Sequence, residues 1–152
     1  MPHIRHATLD DVPLITRQRH QMFADNHFGT ADSLAAMDPA FSLWLKWHIE
    51  RGTYIGLLLS AAQDSEVLAA AGIWFMDWPP HYLHAEPLRA YLLNFYTAPE
   101  ARGRGYAKLL LDEAVKLSHA RGATVITLHA SPMGRPNYEA YGFLPSNEMM
   151  LK

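Results

Sequence analysis

Apolar and polar positions change their spacing several times along the chain, and each change marks an element. Residues 3–7 read as a short strand. Thr8 then stands as an N-cap with Asp11 three residues on, a weaker form of the capping box. Val12, Ile15, Arg19, Met22 and Phe23 follow at helical spacing, so a first helix runs to about Ala24, and Asn26-His27-Phe28-Gly29 interrupts it. Asp38-Pro39 predicts a second helix start, an N-cap followed by proline at the first helical position. Phe41, Trp44, Leu45, His48 and Ile49 share its apolar face, and Gly52 closes it. Residues 54–61 and 67–76 read as two strands of a hairpin turning at Gln63-Asp64-Ser65-Glu66. A loop over 79–87 carries His81, Tyr82, His84 and Glu86. The apolar run 91–96 reads as a buried strand, and Ala107, Leu110, Leu111, Ala114, Leu117 and Ser118 as one helix face. A strand over 123–130 follows, then a short helix opening at Ser131-Pro132-Met133-Gly134 and ending near Gly142. Residues 149–152 add a candidate terminal strand. This order predicts an α/β domain around one mixed sheet flanked by helices.

Composition narrows the chemistry. A length of 152 residues predicts one domain over 1–152 with a real core. With 49% hydrophobic and 18% charged residues, the chain is not disordered. A net charge of −2 lacks the basic excess of a nucleic-acid-binding surface. The absence of cysteine excludes disulfides, thiolate metal sites and a cysteine nucleophile. Met1–His6 lack the apolar core of a signal peptide, and the apolar run 67–76 is too short for a bilayer and stops at Asp77. A soluble cytoplasmic protein with no membrane partner is the expectation. Nine histidines invite a metal hypothesis, but only His3-x-x-His6 and His81-x-x-His84 are close pairs. Neither has a good third ligand nearby, so no metal is expected. Trp44, Trp47, Trp74 and Trp78 read as core. Trp74, Trp78 and Tyr82 also suit the wall of a pocket for an apolar or cationic group.

The stretch over 99–110 carries the strongest chemical signal. It places Arg102, Gly103, Arg104 and Gly105 where a strand turns into a helix. A helix start offers unpaired backbone N–H groups and the positive end of the dipole, which suits phosphate. Glycines there let a pyrophosphate approach the backbone, and each costs ~1 kcal/mol inside a helix, so two call for a reason. The arginines add fixed positive charge. No Walker A string occurs, and from Gly103 the sixth position of a dinucleotide fingerprint is Lys108 rather than glycine or alanine.

Arg102-Gly103-Arg104-Gly105-Tyr106-Ala107 matches Arg/Gln-x-x-Gly-x-Gly/Ala, and in it the chain resembles the GNAT family of N-acetyltransferases over nearly its whole length. Asn137-Tyr138-Glu139-Ala140-Tyr141-Gly142-Phe143 resembles the Tyr-x-x-x-Gly-Phe segment closing that family's last helix. The resemblance implies a GNAT-like fold with two parted strands holding acyl-CoA. It implies acetyl transfer from acetyl-CoA, as cosubstrate, to a primary amine of a small molecule or peptide. Under it, the backbone of Phe95, Tyr96 and Thr97 holds pantetheine, with one N–H near Phe95 facing the thioester carbonyl. Gly103 to Lys108, with Tyr106 and Ala107 between, hold the pyrophosphate, while Ser131 and Asn137 are further candidates for pantetheine. Tyr138 falls where the family often has its general acid; Tyr141 falls where it usually has a packing residue. Some members carry a glutamate base on the strand before the loop. The matching position here is Tyr91, and no carboxylate stands between Ala90 and Thr97. Ordered water, His129 and Glu86 remain open as the route for the amine's proton. A homodimer is a family-level expectation. Two readings compete with catalysis: a non-catalytic acyl-CoA-binding or sensor domain that kept the loop, and an interaction module using the aromatic face of 38–51.

Overall fold

Five strands form one sheet in chain order in the computed structural model, which describes residues 1–152. They are β1 (His3–His6), β2 (Tyr54–Ser60), β3 (Val67–Met76), β4 (Arg89–Thr97) and β5 (Ile126–Leu128). β1 to β4 pair antiparallel, and β4 pairs with β5 in parallel. Four helices flank the sheet: α1 (Val12–Asp25), α2 (Ala31–Arg51), α3 (Tyr106–Ala120) and α4 (Arg135–Tyr141). This is the mixed α/β sheet that the hydrophobic pattern predicts.

Both faces of the sheet are covered, which explains why β2 and β3 read as continuous apolar runs. Leu57 and Leu59 of β2 pack with Leu110, Leu111 and Ala114 of α3. Leu58, between them, points the other way, into a core with Ile15 of α1 and Phe41 and Leu45 of α2. The β2 triplet therefore stitches two cores together through the alternation of a strand.

The largest departures from the sequence reading lie in α2, β5 and the C-terminal segment. α2 begins at Ala31, not at Asp38. Thr30 Oγ1 accepts the Ser33 N–H at 3.1 Å, and Ser33 Oγ accepts the Thr30 N–H at 2.8 Å. This reciprocal cap uses serine where the usual signature has glutamate. Leu34, Phe41 and Leu45 then form one buried stripe, which holds the helix together through Pro39 although proline offers no N–H to the turn before it. Asp38 is no cap: its Oδ2 meets His20 Nδ1 of α1 at 2.8 Å. The strand over 123–130 shrinks to three residues, because β5 leaves β4 after Leu128. The terminal strand over 149–152 does not form; the segment finds no strand to pair with, and Met149 and Leu151 are almost fully exposed. No helix is long and apolar enough to cross a membrane.

Candidate active site

Pairing between β4 and β5 stops at Leu92 and Leu128, and the two strands part. A cavity of about 900 Å³ opens between them, floored by the free edge of β4. Phe95, Tyr96 and Thr97 lie along that edge, as the resemblance implies. The loop before α3 forms one end. Gly103 and Gly105 line it with φ of 77° and 79°. They do not sit inside the helix; both occupy left-handed backbone that glycine adopts without strain. Gly105 is the N-cap of α3 and supplies no side-chain acceptor, so the helix start stays uncapped. A Cβ built on either glycine meets nothing within 4 Å. That vacant space beside free N–H groups fits a phosphate cradle, and Tyr106, Ala107 and Lys108 border the same space.

The charged residues of the loop are already engaged. Arg102 lines the cavity, donates its Nε–H to the Thr97 carbonyl at 3.2 Å and pairs with Asp25 of α1 at 3.1 Å. Lys108 pairs with Asp112 one turn on, at 2.9 Å. Arg104 does not border the cavity; it turns back to the Glu100 carbonyl at 3.0 Å.

Across the cavity from the β4 edge stands α4. Tyr138 presents its ring edge to Phe95 and Phe143, with centroids 5.8 and 5.9 Å apart. Burial alone pushes its phenol up to about 12, with no hydrogen bond to the hydroxyl from the protein. Ser131 borders the cavity and accepts the Gly134 N–H at 3.1 Å, bracing the start of α4. Asn137 borders it from an exposed position, and Tyr141 does so with 37% of its surface exposed.

A second cavity, of about 860 Å³, opens on the other side of the parting strands. Its walls include Met37, Phe41 and Trp44 of α2, Trp74 and Met76 of β3, and Trp78. Trp74 and Trp78 thus line a pocket, whereas Tyr82 is 91% exposed and Glu86 borders neither cavity. Trp47 is half exposed rather than core, with the Arg51 guanidinium 3.8 Å from its ring centroid. The two cavities share Arg19, Tyr91, Leu93, Leu128 and His129.

At that junction runs a chain of three side chains. Tyr91 Oη and His129 Nδ1 are 2.5 Å apart, and His129 Nε2 and Glu148 Oε2 are 2.5 Å apart. Glu148, as a carboxylate, accepts from Nε2–H, which leaves Nδ1 to accept the Tyr91 hydroxyl proton. Burial raises the Tyr91 pKa, so the hydroxyl is protonated at neutral pH. Beneath it, Asn94 holds φ of 58° at a bulge in β4. Its Oδ1 accepts from Arg19 Nη1 at 2.7 Å and its Nδ2 donates to Tyr54 Oη at 3.0 Å. Tyr54 is buried beside Gly72, where any side chain would collide with its ring.

Three of these residues carry no local signal. Arg19 reads as one position of an amphipathic face, and Asn94 as a polar interruption of a strand. Glu148 lies in a segment without periodicity. Its only signal is a carboxylate downstream of a strand-terminal histidine.

The acetyltransferase (GNAT) family model matches residues 20–143. The structure superposes on a GCN5-related N-acetyltransferase from Ralstonia eutropha JMP134 with a TM-score of 0.94 and 33% identity, covering 100% of this chain and 98% of that one. A predicted acetyltransferase from Clostridium acetobutylicum, solved with acetyl-CoA, gives a TM-score of 0.90 and 27% identity over 100% and 96% of the two chains. An acetyltransferase fold from Pyrococcus furiosus matches at 0.78 and 17% identity over 100% and 99%. No curated protein matches the sequence.

Proposed function

The chain belongs to the acetyltransferase (GNAT) family, and we propose that it moves an acetyl group from acetyl-CoA to a primary amine by direct transfer. The observation that carries this reading is the meeting of two cavities where β4 and β5 part. One cavity suits the thioester cosubstrate, the other an acceptor. The thioester supplies an activated acetyl group; the protein must bind it, take a proton from the amine and support the departing thiolate.

The uncapped start of α3 and the glycine cradle at Gly103 and Gly105 hold the pyrophosphate. The backbone edge of Phe95, Tyr96 and Thr97, left free by β5, holds pantetheine as a strand would be held, with an N–H near Phe95 toward the thioester carbonyl. Tyr138, protonated throughout the working pH range, donates to the sulfur as it leaves. Tyr91, His129 and Glu148 answer the missing strand carboxylate. The Tyr91 oxygen takes the amine's proton while its own proton passes to His129 Nδ1, and Glu148 stabilises the resulting imidazolium. A neutral amine is needed because a lysine-type ammonium, with a pKa of about 10.4, has no lone pair to attack with.

Two measurements test this. Calorimetric titration with acetyl-CoA reports binding, and thiol release over a panel of amines reports transfer. Binding with amine-dependent release supports the reading. Binding without release from any amine replaces it with an acyl-CoA sensor, and no binding at all removes both.

A further inference from the structure

Arg19 is a cation that the fold leaves without an anion. Its guanidinium lies 4.8 Å from the Phe23 ring centroid and 4.7 Å from that of Phe41. Nη1 donates to the neutral Asn94 amide, Nε is buried without a partner, and Nη2 makes no hydrogen bond. The arginines of the glycine loop do have such acceptors: Arg102 has Asp25, and Arg104 has the Glu100 carbonyl. Burial lowers the Arg19 pKa, and the only ionisable groups that offset this are the hydroxyls of Tyr54 and Tyr91. A half-buried guanidinium is normally paired with a carboxylate or phosphate. Here the unpaired one borders both cavities, beside the Tyr91–His129–Glu148 chain.

We propose that the acceptor is a free α-amino acid with an aromatic or large apolar side chain, whose carboxylate is held by Arg19. The proposal rests on the acetyl-transfer reading above. The amine must sit at the junction of the cavities to meet both Tyr91 and the thioester. Arg19 is at the same junction, so the carboxylate it holds lies close to the amine, as in an α-amino acid. The side chain then extends into the second cavity, along Met37, Trp44, Trp74, Met76 and Trp78. Arg89 serves a different end: it covers Trp78 at 4.0 Å and borders only the second cavity, where it would meet a carboxylate far from the amine. In the transfer the amine nitrogen bonds to the acetyl carbon, the C–S bond breaks, the amine's proton goes to the relay, and the electron pair leaves on sulfur.

The test compares L-phenylalanine, L-phenylalaninamide and phenethylamine as acceptors in the thiol-release assay, repeated with L-methionine and its amide. The wild type should favour each amino acid over its analogues that lack the carboxylate by about 10²-fold in kcat/KM, the scale of a charge-assisted hydrogen bond. Arg19→Met should collapse that preference, and Arg19→Lys should keep part of it. Circular dichroism and acetyl-CoA titration of the variants establish that they are folded. Equal or better turnover of the amine or amide by the wild type overturns the proposal while leaving acetyl transfer intact, and points to a peptide terminus or simple amine. A stronger preference for 6-aminohexanoate shifts the carboxylate to Arg89 and overturns it too. If Arg19→Met weakens all acceptors by one factor, Arg19 serves the acyl group, and the carboxylate assignment is wrong. Failure to bind acetyl-CoA overturns the transfer reading and this proposal together.

Discussion

Replacing Tyr138 by phenylalanine isolates one oxygen atom. The ring keeps its edge contacts with Phe95 and Phe143, at 5.8 and 5.9 Å, and the hydroxyl that is lost makes no hydrogen bond within the protein. Stability should therefore move by less than about 0.5 kcal/mol, as for a change that breaks no contact. The effect on turnover follows from the phenol's pKa, pushed up to about 12 by burial. A thiol titrates at about 8–9. Full proton transfer from Tyr138 to the thiolate is thus uphill by roughly 4–5 kcal/mol, at 1.36 kcal/mol for each unit of pKa. In the proposed mechanism the phenol therefore acts by donating a hydrogen bond as negative charge builds on sulfur. A positioned donor of this kind is worth about 10²–10⁴ in rate, or roughly 3–5 kcal/mol of barrier. Tyr138→Phe should lower kcat by at least about 10²-fold with acetyl-CoA affinity unchanged. Because a raised pKa keeps the phenol protonated, its ionisation begins only well above neutral pH, and the defect should be constant from about pH 6 to 10. Tyr141→Phe, at a 37% exposed position, should be nearly neutral. Steady-state kinetics across pH decide it. A defect that disappears toward alkaline pH, or full activity in Tyr138→Phe, would show that sulfur leaves without this donor; a swap of the two phenotypes would show that α4 presents the other tyrosine.

Gly105→Val places a β-branched residue at φ of 79°, so the protein should lose about 1–3 kcal/mol of stability and bind CoA at least about tenfold more weakly, as read by denaturant melts and calorimetry; unchanged affinity would remove the loop from the cosubstrate site. His129→Phe should cut kcat by about 10²–10⁴-fold and Glu148→Gln by less, since glutamine still accepts from Nε2 but cannot stabilise imidazolium. Both positions are more than half exposed, so melting temperature should not follow activity, and a loss of activity matched by unfolding would count against the relay. Gly72→Ala puts a methyl 2.6 Å from Tyr54 Cζ, a ring with no room to retreat, and should cost about 1–3 kcal/mol in urea unfolding; wild-type stability would mean that Tyr54 does not need that space.

The parts of the site that were legible in the sequence are those written in local backbone chemistry. The loop at Gly103 and Gly105 announces itself because left-handed backbone and an uncapped helix start both demand glycine next to a helix pattern. Even so, glycine's cost inside a helix was the wrong explanation, since neither lies within α3. Tyr138 was singled out only through the resemblance of its segment to the Tyr-x-x-x-Gly-Phe pattern, and the structure places it on α4, one turn before Gly142. What stayed hidden depends on residues distant in sequence. Arg19 and Asn94 are 75 positions apart, and no periodicity links a helical arginine to a bulged asparagine. Glu148 joins His129 from a segment with no regular structure, so no strand or helix pattern could place it. The start of α2 was hidden by Asp38-Pro39, a stronger local signal than the Thr30–Ser33 cap, and was decided by the buried stripe from Leu34 to Leu45.

One irregularity in β4 arranges both cavities. Ala90 and Leu92 face the α3 side of the sheet, while Tyr91 and Leu93 face α1 and α2. Regular alternation would send Asn94 to the α3 side and Phe95 to the α1 side. Asn94 instead reaches Arg19 and Tyr54, on the same side as Leu93, and Phe95 packs with the α3 core. The bulge has slipped the alternation by one residue, and φ of 58° at Asn94 is the backbone turn that does it. Two consequences follow from that slip. Phe95 stands where its ring meets that of Tyr138, so the tyrosine is packed in the first cavity. Asn94 takes one hydrogen bond from Arg19 and leaves its other donors unspent at the junction with the second. The rest of β4 is bound to β3 by regular pairing from Arg89 to Leu93, so the strain of positive φ in a non-glycine residue is confined to one position and held by two hydrogen bonds. The packing of Tyr138 in one cavity and the placing of the unpaired Arg19 at the junction with the other are therefore set by the same residue.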